Sequence, residues 1–317
     1  MWEDAAIVYF LGVRVYAFGL YTAMGAALGM IVLALLLHRR SWEEGMAALT
    51  GALVIPCGFV LSRLFFCWMD NHNNLGGPLG FRGAYLVTGG GYSMMGALIG
   101  ACLGALIAAR IRQQSGARLL DFLAPALLLF VACERLGEGY IDEFGLSRSL
   151  EGDGLSGSFL LVTGPNASYL ATYLIESFTA LILAVLLLRD ENAKRRPGDT
   201  FLLFLLLFGS TQVLMESLRS DSHMLWPYNH FVRYQQIIAF LLLTAGTVTL
   251  ALRRIRDSKA LAIGALAALM ASLGVCVWLE FALDRTDLSL YLIYAVYIIA
   301  LAAPVYLGMR LRREEKA

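Results

Sequence analysis

The sequence predicts an all-α, polytopic membrane protein with about nine transmembrane helices, each needing about 20 apolar residues to span a bilayer. Three observations carry that expectation. Hydrophobic residues make up 59% of the 317-residue chain and charged residues only 15%, where soluble domains carry about 25% charged residues. Apolar runs of spanning length recur from one end of the chain to the other. Lys and Arg gather in alternate connections between those runs, as the positive-inside rule requires of a multi-pass protein.

The runs fall at residues 17–37, 45–68, 91–109, 119–137, 167–188, 199–217, 232–252, 260–282 and 288–308. The first ends in His38-Arg39-Arg40. The third ends in Arg110-Ile111-Arg112, with Arg118 opening the fourth. Arg189, Lys194, Arg195 and Arg196 follow the fifth, and Arg253, Arg254, Arg256 and Lys259 follow the seventh. Arg310, Arg312, Arg313 and Lys316 close the chain. These connections hold about 17 of the 25 basic residues, and the opposite ones about six. The N-terminus is therefore expected outside and the C-terminus in the cytoplasm. The start, Met1-Trp2-Glu3-Asp4, lacks the basic character of a cleaved signal peptide, so the first helix is expected to act as the targeting signal.

The third and fourth runs are the weakest, because glycine and charge interrupt them. Gly89-Gly90-Gly91-Tyr92-Ser93-Met94-Met95 is too rich in glycine for a helix interior. The following Gly96, Gly100 and Gly104, spaced by four, fit close helix packing in lipid better than chemistry. The fourth run ends in Cys133-Glu134-Arg135-Leu136-Gly137-Glu138-Gly139-Tyr140-Ile141-Asp142-Glu143. A charge at bilayer depth costs about 2.5–3.5 kcal/mol on insertion scales, and such residues mark sites. Arg63, Glu176, Glu216 and Arg219 are the other in-membrane charges of interest. For them, plain ion pairing between helices is the favoured expectation. Three carboxylates crowd Arg135, where structural pairing needs one, and this favours a working role there. Glu216 and Arg219, three apart, are expected to meet on one helix face, as are Arg135 and Glu138. An Arg guanidinium suits a phosphate, because it offers planar paired donors and stays charged.

The five cysteines, Cys57, Cys67, Cys102, Cys133 and Cys276, all lie in apolar segments without a C-x-x-C spacing, and the four histidines form no ligand pair. Packed thiols are expected, with no metal and no cofactor. No nucleic-acid partner is expected. No internal repeat supports an inverted-repeat transporter.

Arg118-Leu119-Leu120-Asp121-Phe122-Leu123-Ala124-Pro125, then Arg135-Leu136-Gly137 and Glu143, resembles the prolipoprotein diacylglyceryl transferase family. Gly90, Gly91, Ser93, Gly96, Leu98, Ile99 and Gly100 match the family's Gly-Gly-Met-Ser-Phe-His-Gly-Gly-Leu-Ile-Gly motif. Phe18-Gly19-Leu20-Tyr21 is similar to its N-terminal Tyr-Gly-Leu-Met-Tyr, and Gln212 through Arg219 to its Arg-x-x-x-Glu-Phe-Phe-Arg.

The resemblance implies a multi-pass protein of the bacterial inner membrane. It implies transfer of diacylglyceryl from phosphatidylglycerol to the thiol of a lipobox cysteine, with prolipoprotein signal peptides and membrane phospholipid as partners. A seven-span core over residues 1–256 is implied, with residues 257–317 an added two-helix segment and basic tail. Arg135, Glu143 and Glu216 are implied as catalytic, Glu143 or Glu216 supporting proton transfer from the thiol. Arg135 and Arg219 are implied to bind the lipid head group, with Gly90, Gly91 and Ser93 beside them. The family's Tyr, His, Asn and Arg are Phe18, Met95, Glu138 and Gln212 here. Met95 moves no proton and Phe18 lacks a hydroxyl, while Glu138 and Gln212 together make the site more negative. Two further readings stay open beside the active enzyme: a non-catalytic lipid- or peptide-binding protein on the same scaffold, and a transferase with another donor or acceptor.

Overall fold

The structure is a computed structural model that describes residues 6–10, 13–73, 91–141, 146–150, 159–163, 168–191, 196–219, 232–286 and 288–313. Among them, nine helices are long and apolar enough to cross a membrane. They are α1 (Ala17–Arg39), α2 (Met46–Asn73), α3 (Met94–Ile111), α4 (Gly116–Glu138), α5 (Thr172–Glu191), α6 (Asp199–Leu218), α7 (Tyr234–Arg254), α8 (Lys259–Arg285) and α9 (Leu290–Arg313). Helices thus carry the fold of this multi-pass membrane protein, as the apolar runs require. Among the described residues, five short strands, which the apolar runs do not announce, lie outside these helices. Strands β1 (Ala6–Phe10) and β2 (Val13–Tyr16) form an antiparallel hairpin leading into α1. Strands β3 (Leu146–Leu150), β4 (Leu161–Thr163) and β5 (Ser168–Ala171) form an antiparallel sheet in the order β3-β5-β4, leading into α5.

The chain divides into two compact units, Met1–Pro197 with Leu218–His223, and Gly198–Ser217 with Met224–Ala317. In the first, glycines bring helix backbones together. A Cβ on Gly25 or Gly29 of α1 would meet the carbonyls of Phe130 or Ala126 of α4 at 2.8 Å. A Cβ on Gly96 or Gly104 of α3 would meet the carbonyls of Leu61 or Leu53 of α2 at 2.6 and 2.7 Å, and Gly100 lies against the Cys57 backbone. The four-residue glycine spacing on α3 is therefore a packing seam, without a side chain between the two backbones. Ser93 begins α3 by accepting the Gly96 N–H, and Ser115 begins α4 by accepting the Arg118 N–H. Apolar side chains face outward: Leu20, Met24, Leu28, Ile31 and Leu35 form an exposed stripe along α1. In water that stripe would be unfavourable; in lipid it is the expected surface.

The second unit holds α7, α8, α9 and nearly all of α6. Gly209 of α6 lies against the α7 backbone, where a Cβ would meet the Ala239 carbonyl at 2.8 Å. Arg253 of α7 donates to buried Asp199 in the first turn of α6 at 3.0 Å. That contact satisfies a carboxylate at a helix N-terminus, where the helix dipole also favours it.

Candidate active site

The charges at the end of α4 fold into one buried cluster within the first unit. Arg135 is 1% exposed. Its Nη1 meets Glu138 Oε1 at 2.5 Å, one turn along the same helix. Its Nε lies 2.5 Å from Glu176 Oε2 on α5 and 3.7 Å from Glu134 Oε2. Arg219 enters from beyond the end of α6. Its Nη1 donates to Glu138 Oε2 at 2.9 Å and to Glu176 Oε1 at 3.4 Å. Its Nη2 donates to Glu138 Oε1 at 3.4 Å. Glu138 therefore bridges both guanidiniums, and Glu176 touches both. All five side chains are buried. Three carboxylates thus face two guanidiniums in the described cluster.

Local structure explains how these groups converge. The spacing of three along α4 places Arg135 and Glu138 on one face. Ser177, one residue past Glu176, donates from Oγ to the Ala132 carbonyl at 2.7 Å and fixes α5 against α4 at this level. Helix α6 stops at Leu218. Arg219, one residue past the end of that helix, forms a β-bridge with Ser147. Its guanidinium thereby reaches Glu138 and Glu176. The wall beside the cluster comes from α1. A Cβ on Gly137 would meet Phe18 Cα and Tyr21 Cβ at 3.1 Å. Tyr21 stacks on Tyr140 with ring centroids 5.5 Å apart and hydroxyls 3.3 Å apart.

The glycine-rich segment before α3 is held by α2. The Ser93 N–H donates to the Ser62 carbonyl at 3.1 Å, and Ser62 Oγ donates to the Ser93 carbonyl at 2.8 Å. Buried Arg63 donates from Nη1 to the Gly91 carbonyl at 2.7 Å and lies over the Tyr92 ring at 5.5 Å. Gly91 has φ +81°, the left-handed region that favours glycine, and the Phe66 ring fills the space its side chain would take. Burial raises the Tyr92 phenol above its ordinary value, and the nearby Arg63 charge opposes that shift. Met95 is buried in the first turn of α3.

The remaining sequence candidates belong to the second unit or lie outside the described residues. Buried Gln212 and Glu216 sit four apart on α6, and Glu216 Oε2 is 3.9 Å from Arg233 Nη1. Gly90 and Glu143 lie outside the described residues. Sequence reasoning treats Glu176 as an ordinary ion-pair residue, yet it touches both arginines. It also misses Glu280 of α8. There the Gln236 amide of α7 donates to Glu280 Oε1 at 2.6 Å and to the Tyr297 hydroxyl of α9 at 2.9 Å. The Tyr297 hydroxyl in turn donates to Glu280 Oε1 at 3.0 Å. A lone acid in an apolar run is the one available signal for either residue.

The apolar helices and this cluster define a multi-pass integral membrane protein with buried charge at a helix end. Comparison with known proteins makes the assignment specific. The chain belongs to the prolipoprotein diacylglyceryl transferase family, whose sequence profile matches residues 6–252. It is 26% identical to the phosphatidylglycerol–prolipoprotein diacylglyceryl transferase of Bacillus licheniformis over 275 residues, 80% of this chain and 94% of that protein. It is also 26% identical to the enzyme of that name from Listeria innocua over 239 residues, 71% of this chain and 83% of that protein. The Oceanobacillus iheyensis enzyme of that name is 24% identical over 255 residues, 76% of this chain and 84% of that protein. The chain is thus a multi-pass bacterial membrane protein.

Proposed function

We propose that this chain transfers the diacylglyceryl group of a membrane phospholipid to the cysteine thiol of a prolipoprotein, the reaction class for which its relatives are named. The observation that carries this reading is the meeting of Arg135 and Arg219 over Glu138. Two buried guanidiniums within reach of one anionic group form a natural phosphate clamp.

In the transfer, the thiol sulfur attacks the glycerol carbon that bears the phosphate. The C–S bond forms and the C–O bond breaks. The head-group phosphate leaves with the electron pair, and the thiol proton passes to a carboxylate. Arg135 and Arg219 hold the phosphate and stabilise the charge it gains on leaving. Glu143 or Glu216 takes the thiol proton. Glu176 touches both arginines and positions them. Gly90, Gly91 and Ser93 shape the loop before α3, tied to α2 by Arg63 and Ser62.

The test uses the full chain in nanodiscs containing phospholipid, with a lipobox peptide and mass spectrometry of the peptide. A diacylglyceryl mass gain, lost in Arg135→Ala, supports the reading. No gain with any phospholipid and no retained lipid overturns it.

A second reading, lipid or peptide binding without transfer, draws on Phe18, Met95 and Gln212, which offer no hydroxyl, imidazole or guanidinium where the family's motifs have them. Restoring Phe18→Tyr, Met95→His and Gln212→Arg together should raise transfer by about 10²–10⁴-fold under this reading, the usual size of acid–base assistance. Robust wild-type transfer excludes it.

For orientation, we propose an external N-terminus and a cytoplasmic C-terminus. Helices α1, α3, α5, α7 and α9 each carry basic residues in their last turn, as cytoplasmic helix ends do. Ser115→Cys and Ser156→Cys, in a background without the native cysteines, should label from opposite sides. Labelling from one side overturns the orientation. We further propose that α8 and α9 are an addition to a core spanning residues 1–256; the family match ends at 252.

A further inference from the structure

We infer that Tyr21 and Tyr140 supply this chain with the hydroxyl that Phe18 lacks. Tyr21 is a further catalytic residue, donating a hydrogen bond to the phosphate that leaves, and Tyr140 is its positioning residue. The inference rests on the transfer reaction proposed above.

The observation is a pair of phenols that two elements bring together at the end of α4. Gly137 adjoins Glu138 in the last turn of α4. Having no side chain, it lets α1 come within 3.1 Å of where a Cβ would stand. Phe18 and Tyr21, three apart on α1, both line that place, Phe18 through Cα and Cδ2 and Tyr21 through Cβ. On the other side the chain turns over the helix end, and the Tyr140 N–H donates to the Gly137 carbonyl at 3.2 Å. Gly139 within this turn lies against the Tyr173 ring of α5, where a Cβ would meet Cε2 at 2.6 Å. The turn carries the Tyr140 ring onto the Tyr21 ring, with centroids 5.5 Å apart and planes 26° apart.

Stacking holds both rings and sets their hydroxyls 3.3 Å apart. Among the described residues each hydroxyl has the other as its one hydrogen-bond partner. Two phenols carry two protons and use one between them, so the second O–H serves a ligand. Donation from Tyr140 to Tyr21 polarises the Tyr21 O–H and strengthens it as a donor. The contact is long for two hydroxyls, as catalytic hydrogen bonds often are before substrate closes the site. Tyr140 is 52% exposed, whereas Tyr21 stands on the α1 wall against Gly137. That places Tyr21 as the donor to substrate and Tyr140 behind it.

In the transfer, the phosphate gains charge as its C–O bond to glycerol breaks. The Tyr21 O–H donates to a phosphate oxygen and stabilises that charge without giving up its proton. The thiol proton still passes to a carboxylate, so the balance of the reaction is unchanged. Phe18 stands one turn earlier on the same wall, so a hydroxyl at either position serves the same end of α4.

The experiment follows diacylglyceryl transfer to a lipobox peptide by the full chain in phosphatidylglycerol nanodiscs, with retained lipid read by native mass spectrometry. Tyr21→Phe should lower kcat by about 10²-fold, the effect of removing one donor to a developing anion, with retained lipid at the natural level. Tyr140→Phe should lower kcat by about three- to tenfold, the worth of one neutral hydrogen bond. Adding Phe18→Tyr to Tyr21→Phe should recover at least about tenfold of the loss, because it returns a donor to the same wall. An interfacial anchor, the other use of exposed tyrosines in membrane proteins, would move thermal unfolding and leave kcat alone. A kcat unmoved by Tyr21→Phe, a loss that tracks lost lipid, or a loss that Phe18→Tyr does nothing to restore overturns the inference and leaves the transferase reading intact. No transfer by the natural chain also overturns the inference; if no lipid is retained either, the transferase reading falls with it.

Discussion

In the first unit, Arg135 and Arg219 share Glu138 and Glu176, with Glu134 close by. In the second, the carboxylate of Glu280 takes its hydrogen bonds from neutral donors, the Gln236 amide and the Tyr297 hydroxyl. Both clusters are buried, and both tie elements together. The second joins α7, α8 and α9 with one acid, one amide and one phenol. The first uses five formal charges, each costing several kcal/mol to desolvate before pairing offsets it. Fastening helices needs far less, as the Glu280 cluster demonstrates. Charge in excess of what packing requires is why we propose the first cluster as the working site, and the economical cluster as a clasp.

The largest expected effect comes from breaking the first cluster. Arg135→Ala leaves three carboxylates beside one guanidinium. Transfer should fall by at least about 10²-fold, the cost of losing one donor to a developing anion. The folded state should lose about 3–5 kcal/mol, as when a buried pair loses one partner. Arg135→Lys keeps the charge but not the planar fork, and should recover some of the transfer. Peptide mass shift and thermal unfolding in detergent give the two readouts. Transfer at the natural level in both variants would reduce Arg135 to a fastening residue and erase the contrast.

Glu280→Ala should act on stability alone. It leaves the Gln236 amide and the Tyr297 hydroxyl without their shared acceptor, at a cost of about 1–3 kcal/mol. Lipid retention and transfer should stay at the natural level. A loss of transfer on the scale of Arg135→Ala would place this cluster in the working site. Tyr297→Phe should have the smallest effect, about 0.5–1.5 kcal/mol for one hydrogen bond. Its melting temperature should fall between those of the natural chain and Glu280→Ala; a larger loss than in Glu280→Ala would mean that the phenol, not the carboxylate, centres the clasp.

The spans are legible because an apolar run of spanning length has few alternatives. The start of α3 at Met94 is legible from the glycines before it, and the seam on α3 from Gly96, Gly100 and Gly104. The Arg135–Glu138 pair is legible because both residues belong to one helix, where spacing fixes distance. Glu176 is visible as a charge but not as a member of the site. Its partners come from α4 and from beyond α6, and no local pattern encodes that meeting. For Arg219 the spacing rule carries less, because it holds only inside a helix and α6 ends one residue earlier. The short strands are illegible because they run for only three to five residues, too few to show an alternation, and β3 pairs with β5 across a long stretch of chain.

The glycine seams have a mechanical consequence. Between α1 and α4, and again between α2 and α3, backbone lies on backbone at Gly25, Gly29, Gly96, Gly100 and Gly104. No layer of side chains is left there to change rotamer and yield. Each pair behaves as a single stiff stave, and bending or sliding within it would drive a carbonyl into a Cα. Whatever widens this unit toward the bilayer must move the two staves apart. The compliance of these four helices therefore belongs to the joints between the α1–α4 and α2–α3 pairs.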